Sequence, residues 1–172
     1  MLFISNKKVY LQHLKKQNMK KIIQRIKVQE SIDSWNKKNS IQIKKTAQTV
    51  GESVGITGRS LSLWNQGKVP KQIQCLSDIA DELDMSFDDL FEIAYNATTD
   101  KVHLKRIRIK EGIDKWNETK RKKSFASVSE NVNYAEKRIR MWNEGELPFA
   151  IHNFFNFCKV TSIRKFSKVL EY

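Results

Sequence analysis

Trp64-Asn65-Gln66-Gly67-Lys68-Val69-Pro70 and Trp142-Asn143-Glu144-Gly145-Glu146-Leu147-Pro148 are one phrase written twice, offset by 78 residues. Both prolines of the chain and two of its four tryptophans fall inside these copies. The other two tryptophans repeat as well: Ile32-Asp33-Ser34-Trp35-Asn36 returns as Ile113-Asp114-Lys115-Trp116-Asn117, at an offset of 81. Rare residues at equivalent places mean an internal repeat, and a repeat outranks any local reading of the chain. The 172 residues therefore divide into two units of roughly 70 to 75 residues, a size that folds alone with a small margin of stability.

Working outward from the first copy, Leu61 and Trp64 are the buried side of a helix that runs from Gly58 to Asn65 and stops at Gly67, with Pro70 preventing its continuation. Thr57 caps its start, Ile56 returns to the core, and Gly55 supplies the left-handed turn that ends the preceding helix. That preceding helix starts at the N-cap Thr46 and buries Val50 and Val54. Upstream, Val28, Ile32 and Trp35 form the i, i+4, i+7 stripe of a first helix. Downstream, Ile73, Leu76, Ile79, Ala80 and Leu83 mark a fourth. Ser86-Phe87-Asp88-Asp89 reads as a capping box opening a fifth helix with Leu90, Phe91 and Ala94. The pattern predicts five helices per unit and no strand. The polar run Asn96 to Asp100 is the boundary. The second unit repeats the plan, with Ser124 as cap, Val128 and Val132 buried, Asn133 in the place of Gly55, and Ile139 and Trp142 matching Leu61 and Trp64.

This order of helices resembles the Cro and lambda-repressor-like helix-turn-helix family. The likeness rests on Val54-Gly55-Ile56-Thr57 at the turn, on Leu61 and Trp64-Asn65-Gln66-Gly67 with Pro70 after it, and on Leu76, Ile79-Ala80, Leu83, Met85-Ser86 and Leu90-Phe91. It covers residues 25–94 closely and 106–170 more loosely. The resemblance implies an all-α chain of two tandem five-helix helix-turn-helix domains, 25–96 and 106–172. A basic arm or helix, 1–24, precedes them, and a linker, 97–105, joins them. It also implies a double-stranded DNA partner, with the second helix of each motif offered to the major groove and the N-terminus of the first to phosphate.

On that template the outward positions after Thr57 are Gly58, Arg59, Ser60 and Ser62, and Arg59 is the candidate for a two-pronged contact to guanine. Lys137, Arg138 and Arg140 are their counterparts in the second unit. Candidate phosphate contacts are Lys44, Lys45, Thr46, Gln48, Thr57 and Lys68, together with the dense run Lys120, Arg121, Lys122 and Lys123. The second unit departs from the pattern at Ala135, which has no capping oxygen, and at Glu136, which phosphates repel. Asn65 and Asn143 stand where the family commonly has Glu, and Gly51 and Ser129 where it favours Ala. Trp35, Trp64, Trp116 and Trp142 are read as core residues.

Charge supports a polyanionic partner. The net charge is +13, distributed as +6 over residues 1–24, +6 over 25–77, −8 over 78–100 and +9 over 101–172. The acidic segment belongs to the later helices, which this family turns away from DNA. No stretch is apolar for the roughly 18 residues that span a bilayer, and the expected location is the cytoplasm. Cys75 and Cys158 stand alone, as small buried hydrophobes rather than zinc ligands or a disulfide. His13, His103 and His152 are scattered, with no Ser–His–Asp set, carboxylate pair or Gly-rich phosphate loop. Neither an enzyme, a cofactor, a metal nor a small-molecule ligand is expected. The reading is a transcriptional regulator or repressor of a bacterium or mobile element such as a phage, using two dissimilar reading helices on one asymmetric site. The alternatives are a scaffold for protein partners, antitoxin-like or virion-associated, or an unspecific nucleic-acid binder that uses residues 1–24. Beside DNA, the partner expectations are a protein or a homodimer.

Overall fold

Side-chain caps and left-handed stops set the helix boundaries in the computed structural model, which describes residues 21–172. Among these residues the order is β1 (Arg25–Ile26), α1 (Val28–Lys38), α2 (Ala47–Val54), α3 (Gly58–Asn65) and α4 (Lys71–Glu82), then a 3-10 turn (Asp88–Leu90) and β2 (Phe91–Asn96). The second unit runs β3 (Lys101–Ile107), α5 (Ile109–Thr119), α6 (Phe125–Val132), α7 (Glu136–Glu144) and α8 (Phe149–Val160), then a 3-10 turn (Phe166–Val169) and β4 (Leu170–Glu171). Thr46 and Thr49 form a capping box at the start of α2, and Ser124 and Ser127 form its copy at α6. Gly55 and Asn133 end these two helices in the left-handed region, at φ 82° and 53°.

The expected all-α pair of five-helix domains is corrected to a mixed fold. Among the described residues each unit has four helices, and two small antiparallel sheets are present. Ser86 does accept the Asp89 amide, as a capping box requires, at 3.2 Å. The helix nevertheless ends after one 3-10 turn, and residues 91–96 pair with 101–107 as a hairpin. A short isolated helix pays the cost of nucleation for very few hydrogen bonds. The extended form gives these backbone groups a full ladder and buries Phe91, Leu104 and Ile107. The stretch read as a linker, 97–105, is thus the hairpin turn and most of β3.

Each sheet joins the start of one unit to the end of the other, β1 with β4 and β3 with β2. Helix packing is reciprocal in the same way: α2 packs on α8, α6 packs on α4, and α4 and α8 meet each other. Contacts exchanged in both directions define a two-fold relation. Asp88 and Ser167, which occupy equivalent 3-10 positions, touch each other, with the Ser167 amide donating to Asp88 Oδ1 at 3.1 Å. One core runs through both units, with Phe154, Phe157, Ile79 and Leu76 fully enclosed along the junction.

Two equivalent lysines close the seam. Lys45 Nζ lies 3.8 Å above the Trp35 ring and donates to the Val160 carbonyl at the end of α8. Lys123 Nζ lies 3.8 Å above Trp116 and donates to the Glu82 carbonyl and carboxylate at the end of α4. A cation at a helix C-terminus meets its partial negative charge. Each lysine is held by an asparagine of the first helix. Asn36 exchanges two hydrogen bonds with the Lys45 backbone at 2.8 and 2.7 Å, and Asn117 does so with Lys123 at 3.0 and 2.6 Å.

Candidate nucleic-acid interface

The first helix-turn-helix, α2–α3, depends on a backbone crossing too close for side chains. A Cβ on Gly51 would sit 2.8 Å from the Gly58 amide nitrogen, and one on Gly58 would sit 2.8 Å from Gln48 Cα. Gly58 is therefore packed against α2, which corrects its expected outward position. Thr57 Oγ1 accepts the Ser60 amide at 3.1 Å and lies 2.9 Å from the Ser60 hydroxyl. Ser62 is half-buried and spends its hydroxyl on the Gly58 carbonyl at 3.0 Å. Arg59 is exposed and makes no ion pair among the described residues. Of the candidates for base contact on α3, Arg59 is the side chain left fully available.

Around the start of α2, Lys44, Thr46 and Gln48 are exposed, as are Thr57 and Lys68 at the two ends of α3. Gln48 is tethered to Glu52 along the helix. Lys45 differs from its neighbours, since its ammonium is engaged in the seam and burial lowers its pKa.

In the second motif, α6–α7, Ser129 replaces Gly51 and donates its hydroxyl to the Tyr134 carbonyl at 2.7 Å, bracing the turn. Tyr134 in turn packs on Trp142, with ring centroids 5.0 Å apart. Ala135 gives α7 no side-chain cap. Glu136 faces the helix N-terminus, where a negative charge is favoured, and pairs with Arg140 at 2.6 Å. Arg140 also lies 4.5 Å over the Phe125 ring. Lys137 and Arg138 remain exposed without an ion pair among the described residues.

The basic run 120–123 is divided between two tasks. Lys120 pairs with Asp84 at 2.8 Å and lies 4.0 Å over Trp116, while Lys123 is bound to Glu82 in the seam. Arg121 and Lys122 are exposed. Trp35, Trp64 and Trp142 are buried at 9%, 7% and 3% exposure. Trp116 is only half-buried, a correction to its expected core position: the two lysines cover its face, and its indole N–H donates to the Arg121 carbonyl at 2.9 Å. The basic arm proposed for residues 1–24 lies outside the described residues up to position 20. Its last part is fixed to the first unit through Lys21–Asp81 at 3.1 Å and through the Ile23 amide, which donates to Gln74 at 2.8 Å.

Two asparagines and five cations escaped the motif-based reading. Asn65 Oδ1 accepts the Gln29 amide at 3.1 Å, and Asn143 Oδ1 accepts the Lys110 amide at 2.8 Å. Each caps the first helix of its unit from the end of α3 or α7. Lys27, Lys38, Arg164, Lys165 and Lys168 line one cleft between α1 and the segment after α8. The signal for Arg164, Lys165 and Lys168 was the all-basic charge of residues 159–168, which carries no spacing pattern.

Among the described residues, no His, Cys, Asp and Glu side chains gather in a metal-binding group of three or more, and no helix is long and apolar enough to cross a membrane. Cys75 and Cys158 are both buried, and burial pushes the Cys158 thiol far above its ordinary range. Comparison of the chain with protein-family models, with curated proteins and with solved structures gives no match in any of the three.

Proposed function

We propose that this chain is a sequence-specific double-stranded DNA-binding protein, acting as a transcriptional regulator. The observation that carries the reading is the duplicated helix–turn–helix, α2–α3 and α6–α7, with exposed cations on each second helix: Arg59 on one, Lys137 and Arg138 on the other. A short helix whose N-terminal half is exposed and basic suits the width of the major groove. The reciprocal seam supports two reading helices held by one chain, an arrangement that other proteins of this kind reach by dimerisation. Because the two helices differ in sequence, the site read is asymmetric.

The test is selection of bound duplexes from a random pool at about 150 mM salt, where unspecific phosphate contacts are weakened. Two dissimilar half-sites are expected. In Arg59→Ala, preference at one base position of one half-site should relax, with a loss of about 1–3 kcal/mol in discrimination. An unenriched pool, with binding that vanishes as salt rises, would overturn the reading in favour of a protein-interaction scaffold or unspecific binding.

A further inference from the structure

The two-fold relation gives the molecule two equivalent clefts, each between the first helix of one unit and the segment that ends the other. Equivalent clefts start from the same geometry, so a difference in charge between them needs its own cause. The first, about 690 Å³, is lined by Lys27, Lys38, Arg164, Lys165 and Lys168. Its one acid, Glu30, is bound to Arg25. None of the five cations makes an ion pair among the described residues. The second cleft, about 490 Å³, carries Asp84, Asp89, Glu92 and Glu111 against Arg106, Arg108 and Lys115. There the charges neutralise one another: Glu92 holds Lys105 at 3.0 Å and Arg106 at 2.7 Å, and Glu111 holds Arg106.

The difference lies at matched positions. Asp84 and Ser162 are the left-handed residues after α4 and α8, at φ 53° and 58°. Asp89 and Lys168 are the penultimate residues of the two 3-10 turns. Lys38 ends α1 where Thr119 ends α5. Lys38 and Lys168 thus have no cationic counterpart in the second cleft, which carries Asp84 and Asp89 where the first has Ser162 and Lys168, so the first cleft offers a place for an anion.

The position of the basic cleft identifies the anion. Trp35 lines it, and Lys45 sits on the same ring, next to Lys44 and Thr46 at the start of α2. At Trp35 the cleft therefore meets the edge of the first unit that the functional reading turns to phosphate. Lys27 and Lys38 stand at the two ends of α1, and Arg164, Lys165 and Lys168 come from the opposite wall, so the cations are not gathered on one point, which suits a phosphodiester backbone.

We propose, on the basis of the DNA-binding reading, that this cleft holds the backbone of duplex flanking the half-site read by α3. The acidic cleft makes no such contact beyond the half-site read by α7, so the footprint is longer on one side. The cleft is a positioning and affinity surface and carries no base preference.

The experiment uses the full chain and Lys165→Gln/Lys168→Gln, two exposed positions outside the core. Affinity for the selected duplex and for a random duplex is measured from about 50 to 200 mM salt. Loss of two phosphate contacts lowers the slope of log affinity against log salt by about 1.8, so the advantage of wild type over the variant shrinks about twelve-fold across that range. The selected motif stays the same. Extending the selected duplex by about one helical turn should raise wild-type affinity on the side whose half-site is relaxed by Arg59→Ala, and not on the other. An unchanged slope on both duplexes, or equal gains on both sides, overturns the cleft assignment while leaving the motif intact. No selected motif, with the slope still lowered on random duplex, overturns specific reading and keeps the cleft as a phosphate surface. Failure to bind any duplex overturns both.

Discussion

Replacing Asn65 or Asn143 with Ala tests the most particular feature of the repeat, the asparagine that follows each tryptophan of the repeated phrase. Each side chain reaches from the C-terminal end of α3 or α7 to an amide in the first turn of α1 or α5. The bonds are 3.1 Å to Gln29 and 2.8 Å to Lys110. Neither Lys27 nor Arg108, the residue at the N-cap, supplies a side-chain cap of its own. Without the asparagine that first-turn amide has no protein acceptor, and loss of a capping oxygen costs about 0.5–2 kcal/mol. Asn65 also accepts from Arg25 at 3.4 Å, a long bond that adds little because Arg25 keeps Glu30 and Glu171. For a chain of this size, about 1 kcal/mol lowers Tm by roughly 2–4 °C. Each Ala variant should therefore melt a few degrees below wild type, followed by circular dichroism and checked by urea unfolding. Asn65→Asp and Asn143→Asp keep the acceptor and place a negative charge at a helix N-terminus, so they should hold wild-type stability or exceed it. Aspartates that melt as low as the alanines would refute the capping argument.

Gly67→Ala and Gly145→Ala should be more damaging. Both residues lie in the left-handed region, at φ 98° and 100°, and a Cβ would stand 2.7 Å from the Gln24 carbonyl oxygen or 2.8 Å from that of Lys105. The conformation alone costs about 1–2 kcal/mol, and the clash adds to it by displacing β1 or β3. Urea unfolding of either variant within error of wild type would contradict that geometry. Acid should unfold the protein progressively below the ordinary carboxylate pKa of 4.5. Arg25 holds Glu30 below that value, Arg106 holds Glu111 below it, and Lys120 lowers Asp84. A folded-state pKa below the unfolded one gives stability that is present above the unfolded value and lost as pH falls through the folded one. Arg106→Gln should flatten this dependence in urea midpoints taken across the acid range, and an unchanged pH profile would count against the Arg106–Glu111 pair as its source.

Most of the helices and the ends of α2, α3, α6 and α7 were legible because they rest on local chemistry. A threonine or serine before an apolar stripe caps a helix, a glycine or asparagine in the left-handed region ends one, and the rare residues Trp and Pro expose the repeat. The fifth helix was misread because Leu90, Phe91 and Ala94 satisfy a helical stripe as well as a strand. What decides for the strand is Leu104 and its neighbours, a pairing partner that a local reading assigned to a linker. Trp116 looked like Trp35, and its half-exposure depends on lysines of a loop and on the unit it faces. The same limit applies to the seam. Lys45 and Lys123 read as phosphate contacts because charge is visible in a sequence, whereas the helix end that engages each of them belongs to the other unit. Likewise, the difference in charge between the two clefts follows from residues far apart in the chain, such as Lys38 and Lys168 in one and Thr119 and Asp89 at the matched positions of the other. By itself the sequence determined the repeat, the helix ends and an excess of positive charge, because each is a property of neighbours along the chain. Only the tertiary structure decided which cations are bound and which stand free, because that depends on the fold bringing distant groups within a few ångströms.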